Sequence, residues 1–299
     1  MKESSSLIRD GDDEESVESS GKDAITSVIA VSMSLIVIFA SSITIIYLWK
    51  GEDGFVIERP SSALLSWQME YMDLIGANND SLTELNGEGV VVCVVDSGVD
   101  LDHPDLRGVE LRGWRDSING IEEPYDDEGH GTAMTGIIVS DGGLDGVAKG
   151  VDLLVAKAIN DEGQGTDGTV SDSVDWCVQQ GADIISLSLG GSQSFGSDFF
   201  TTDELEQSVD DALDSGVFVV SSAGNDGEDD DGDVGSPGSV EGVICVGGIT
   251  RSGSIWSGSS EGDNDGRLWP NPILPRSDPD KKPEIVGPGH EVPVLMASG

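Results

Sequence analysis

The chain has 299 residues, enough for one large domain with a substantial core or for two small ones. Its 57 acidic residues against 15 basic ones give a formal net charge of -42. Such a surface repels phosphates and anionic headgroups, which argues against nucleic-acid binding and favours solvation of a folded surface in salty surroundings.

Residues 1–23 are polar and acidic, including the run from Asp10 to Glu15, and are expected to be a disordered tail. Residues 24–49 carry no charge and are dominated by Ile, Val, Leu and Phe. At about 1.5 Å of rise per residue such a helix crosses a roughly 30 Å hydrocarbon core, with Tyr47 and Trp49 suited to the interface. A single transmembrane helix is therefore expected here. Arg9 and Lys22 on one side balance Lys50 and Arg59 on the other, so charge does not set its orientation. Residues 50–66 are expected to be a juxtamembrane linker, with a short helix around Leu64 to Ile75, and residues 67–299 a catalytic domain.

From Glu88 onward, apolar runs alternate with amphipathic ones. Strands are expected at Val90–Val95, Val109–Trp114, Leu153–Ile159, Ile184–Leu189, Val217–Ser221 and Val243–Val246. Helices are expected from Ala133, over Val170–Gln180 and near Leu205–Asp214. This alternation predicts an α/β fold, a three-layer sandwich with a mostly parallel central sheet. The acidic loop from Asp226 to Asp233 reads as a solvated loop. Cys93, Cys177 and Cys245 are an odd number, far apart and each within an apolar stretch, so all three are expected to be small buried hydrophobes.

Four segments carry chemistry. Asp96 ends the first buried strand, where α/β sheets place their sites, and Gly98 permits a tight turn. His130 lies between Gly129 and Gly131 just ahead of a helix, and glycines on both sides allow a close approach by another backbone or a substrate. A histidine near a buried carboxylate is held in one tautomer and serves as a general base. Asn225 follows a strand behind Ala223 and Gly224, where its amide can face developing negative charge. Gly190 and Gly191 end a strand with exposed backbone.

In this order the segments closely resemble the subtilisin family of serine proteases, from about Trp67 to the C-terminus. Asp96-Ser97-Gly98, His130-Gly131-Thr132, Ser188-Leu189-Gly190 and Ala223-Gly224-Asn225 match its aspartate, histidine, substrate-strand and oxyanion motifs. His103-Pro104-Asp105-Leu106 and Pro283-Glu284-Ile285-Val286-Gly287-Pro288-Gly289 also look alike. The resemblance implies that Asp96 holds His130, that His130 acts as base and then acid, and that Asn225 donates to the oxyanion. It also implies that Ser188, Leu189 and Gly190, with Ala223 and Gly224, bind an extended polypeptide substrate. A cis bond is expected at Ser236-Pro237.

Two features of the family are not met in these 299 residues. Its Gly-Thr-Ser segment is absent, and Ser298 lacks the preceding residues and a helix to sit on, so the nucleophile is expected beyond Gly299. The alternative is a catalytically dead scaffold that binds peptides. No cofactor is expected: Asp105 matches a calcium ligand of some relatives, but its partner loop between Ile138 and Gly146 is short. Because such enzymes are usually exported, the catalytic domain is expected outside the cell membrane.

Overall fold

The computed structural model describes residues 28–44, 60–79, 85–189, 204–227, 234–262 and 281–297. The chain divides into two compact units, Met1–Arg59 and Pro60–Gly299. In the first, residues 28–44 form a helix, α1, whose apolar side chains are exposed. The ends of the apolar run 24–49, the tail 1–23 and residues 50–59 lie outside the described residues. Among the described residues no helix is long and apolar enough to cross a membrane.

The second unit contains a seven-stranded sheet. Its strands are β1 (Val91–Asp96), β2 (Leu111–Asp116), β3 (Asp152–Lys157), β4 (Ile184–Leu187), β5 (Phe218–Ser222), β6 (Ile244–Ile249) and β7 (Ile285–Pro288). They lie in the order β2-β3-β1-β4-β5-β6-β7, and every pairing is parallel. The helices are α2 (Ser62–Leu74), α3 (His130–Val139), α4 (Asp167–Gln179) and α5 (Glu204–Asp214). The expected α/β architecture with a parallel sheet is therefore present.

Strand β1 is buried along its whole length because helices cover both faces. Side chains alternate across a strand, so Val91, Cys93 and Val95 pack with Val174 and Cys177 of α4 and Val209 and Ala212 of α5. Val94 turns the other way and packs with Val139 of α3 and with Leu144 and Leu295.

This alternation corrects the expectation for the cysteines. Cys93 and Cys177 are both fully buried and form a disulfide that ties β1 to α4, leaving only Cys245 free. Widely spaced cysteines in apolar runs look like core residues because they are core residues; only the pairing of the two elements brings the sulfurs together. Burial pushes the Cys245 thiol up to about 12, which leaves it inert. The cis bond at Ser236-Pro237 is present, together with an unforeseen one at Lys282-Pro283.

Candidate active site

In a parallel sheet, sites form along the edge where the strands end at their carboxyl termini. Asp96 is the last residue of β1 and only 2% exposed. His130 begins α3, three residues earlier than the apolar pattern suggested, because Gly129 adopts a positive φ of 104° ahead of it. The His130 Nδ1 lies 2.8 Å from Asp96 Oδ1 and 3.0 Å from Oδ2. The backbone N–H of Ser97 also donates to Asp96 Oδ1 at 2.7 Å. An Nδ1–H donated to Asp96 leaves Nε2 with its lone pair, the arrangement a general base needs. The bond to Asp96 raises the His130 pKa above its ordinary value; burial opposes this, and the charges of Asp96, Glu128 and Asp126 reinforce it.

Two glycines allow this approach. A methyl group on Gly98 would stand 2.0 Å from the Tyr125 carbonyl oxygen, and one on Gly131 would stand 2.2 Å from the Gly98 carbonyl oxygen. The glycine after His130 thus admits the neighbouring backbone that carries Asp96.

The remaining candidates follow the next strands. β4 pairs with β1 and β5 with β4, and the register places Val95 beside Leu187 and Leu187 beside Ser221. Ser188, Leu189, Ala223, Gly224 and Asn225 therefore leave the same sheet edge as Asp96. β5 lies two strands away, about 10 Å at the usual interstrand spacing. Ser188 and Leu189 are half-buried, Ala223 is buried and Asn225 is exposed. Gly190 and Gly191 lie outside the described residues, as do Ser298 and most of the acidic loop 226–233.

The sequence did not single out Ser260. It fixes the turn before Asn225, since its N–H donates to the Gly224 carbonyl and its hydroxyl accepts from Asp226 N at 3.0 Å. Lys157 was also missed. This fully buried lysine at the end of β3 donates to the carbonyls of Ser97 and Ile159 and pairs with Asp127 at 2.6 Å. Its position inside an apolar strand was the available signal, because a buried lysine needs partners.

The residues around Asp105 do not fit calcium. Asp105 Oδ1 accepts from Gly143 N at 2.7 Å and Oδ2 from Leu144 N at 2.9 Å. Lys149 Nζ bridges Asp141 at 2.6 Å and Asp145 at 2.5 Å. Gln68 closes on the Asp145 backbone through both its amide groups. Backbone N–H groups and an ammonium thus occupy the oxygens that a calcium ion would need in a set of six to eight. Among the described residues, no cluster of acidic, histidine or cysteine side chains could hold a metal. Thermal melts in molar KCl should rise by more than about 5 °C as the acidic surface is screened. Chelator added at constant salt should leave the midpoint unchanged, and a fall would show a bound divalent ion.

Residues 87–298 match the model of the subtilase family, Peptidase S8. The chain is 36% identical over 217 residues to serine protease AprX of Bacillus subtilis (strain 168), which covers 69% of this chain and 47% of that protein. It is 36% identical over 187 residues to an intracellular serine protease of Paenibacillus polymyxa, covering 59% of this chain and 55% of that one. The chain thus spans about half the length of these curated relatives. A cold-adapted subtilisin-like serine proteinase of known crystal structure matches with a TM-score of 0.56 and 27% identity, over 71% of this chain and 67% of that one.

Proposed function

The chain belongs to the subtilase family, and from that premise we propose that it is a membrane-anchored serine endopeptidase acting on extended polypeptides. The observation that carries this reading is the 2.8 Å pairing of the His130 imidazole with the buried Asp96 carboxylate at the carboxyl edge of the sheet. In the proposed reaction His130 Nε2 takes the proton of a serine hydroxyl as the serine attacks the scissile carbonyl. His130⁺, held by Asp96, then protonates the leaving amine, and water repeats the sequence on the acyl-enzyme. Asn225 donates to the tetrahedral oxyanion. The substrate lies extended between Ser188–Gly190 and Ala223–Gly224, pairing through its backbone.

The path of the chain supports a position for the nucleophile. Leu295 packs against Gly136 near the end of α3, where a methyl group would stand 2.5 Å from its Cγ. Two residues later, the Ala297 methyl group lies 3.7 Å from the place a Cβ on Gly129 would take. Residues 295–297 therefore run back along α3 toward His130, and the serine is assigned to chain beyond Gly299, past this approach to the site.

The anchor is assigned to residues 24–49, an uncharged run whose described part is helical with Ile36 and Phe39 each about two-thirds exposed. The buried disulfide supports placing the catalytic unit on the oxidising, extracytoplasmic side.

The pH dependence of kcat/KM in the full-length protein tests the assigned base. His130 is active only when neutral, and its pKa is raised, so the rate should climb with pH through a midpoint above the ordinary histidine value. A pH-independent rate across that region would remove His130 from the mechanism.

A further inference from the structure

The three first-turn N–H groups of α3 each find a side-chain acceptor, as helix N-termini require. His130 N donates to Glu128 at 2.8 Å, Gly131 N to the Ser97 hydroxyl at 2.8 Å, and Thr132 N to Asp126 at 2.8 Å. Two of these acceptors are themselves joined, because the Ser97 hydroxyl donates to Asp126 Oδ1 at 2.9 Å. Asp126 is 7% exposed, and no described lysine, arginine or histidine pairs with it. Five donors surround it instead. Oδ1 accepts from Ser97 Oγ, Glu128 N and Gly129 N, and Oδ2 accepts from Thr132 N and, at 2.6 Å, from Thr132 Oγ1. The Thr132 hydroxyl in turn accepts from Asp100 N at 2.9 Å.

We propose that Asp126 is a positioning residue for the Asp96–His130 pair. Its carboxylate ties the loop after β1, through Ser97 and Thr132, to the first turn of α3, and so fixes the gap between the two catalytic groups. Asp96 and His130 sit on separate elements, joined at the site by small residues and two glycines. The Ser97–Asp100 loop and the 126–132 turn are also tied by Gly131 N to the Ser97 hydroxyl, by Asp100 N to the Thr132 hydroxyl, and by Lys157, which joins the Ser97 carbonyl to Asp127. Asp126 orients the two hydroxyls on which the first two of these ties depend. Asp126 also places a fixed negative charge near the imidazole, alongside those of Asp96 and Glu128. The nearby Lys157 ammonium is taken by Asp127 and two carbonyls. Burial by itself pushes the Asp126 carboxyl up, but bonds from the Thr132 hydroxyl, Gly129, the Thr132 backbone and Ser97 outweigh it and hold the group below the ordinary carboxylate range. It is therefore ionised wherever His130 titrates.

The proposal rests on Asp96 and His130 being the acid–base pair, but its test needs no peptide cleavage. In the intact protein labelled with 15N-histidine, three imidazoles must be assigned. The folded wild type should show a low-field Nδ1–H resonance for His130. Asp126→Asn cannot accept all five donors; it should lose that resonance and lower the His130 midpoint by about one pH unit. A purely structural role would reduce the melting temperature while leaving both signals in the folded population, and that result overturns the proposal. If Asp126→Asn fails to fold, Ser97→Ala, which removes the hydroxyl between Asp126 and Gly131, decides. It should shift the same resonance and lower the same midpoint, and wild-type values for both overturn the assignment.

Discussion

Replacing His130 by alanine in the full-length protein should lower kcat for peptide hydrolysis on the order of 10⁴-fold or more, the scale on which triad members act in serine proteases of known mechanism. KM should change little, since the imidazole acts on the proton and not on the substrate's extended backbone. The fold should tolerate the change, because the side chain is 45% exposed at the cleft and belongs to none of the three core clusters. Asp96 loses one partner but keeps the Ser97 N–H. Steady-state kinetics on an extended peptide, with circular dichroism as a folding control, separate the two effects. A variant that retains activity within about tenfold of wild type would place the base elsewhere.

The second large effect concerns the disulfide. Cys93 and Cys177 are separated by 84 residues, and a crosslink closing a loop of that size stabilises by about 4.5 kcal/mol in the chain-entropy account. The paired change Cys93→Ala with Cys177→Ala should cost that much in urea unfolding, since both sulfurs are fully buried and the methyl groups leave little new strain. Activity should fall with it near the melting point, because Cys93 lies three residues from Asp96 on the same strand. The same bond reports the compartment. In protein taken from cells, Cys93 and Cys177 should resist alkylation under denaturing conditions until reduced. Free alkylation before reduction would put the catalytic unit on the reducing side of the membrane, reversing the proposed orientation.

Much of the fold was legible because buried parallel strands leave continuous apolar runs. The runs Val90–Val95 and Leu153–Ile159 place β1 and β3 to within two residues at each end, and Asp96 stood out as a carboxylate ending the first of them. His130 stood out through its flanking glycines. What remained hidden depends on tertiary neighbours. β7 is four residues with a glycine and a proline, Ile-Val-Gly-Pro, and becomes a strand only by pairing with β6. The disulfide joins two elements whose adjacency no local pattern encodes. Asp126 looked like one more acidic loop residue in a chain with many of them. Its distinction lies in five donors that converge from two loops and a helix end. Lys157 was hidden for the opposite reason, as a single cation inside a strand that otherwise read as core.

The central claim is that Asp96 and His130 activate a serine carried by the chain beyond Gly299. A phosphonofluoridate, which loses fluoride as it phosphonylates the hydroxyl of an activated serine, tests it most directly when the modified peptide of the full-length protein is mapped by mass spectrometry. One stoichiometric adduct should appear on a serine beyond Gly299, and it should vanish in His130→Ala. An adduct on Ser298 or any earlier serine, or no adduct on folded protein, would contradict the account.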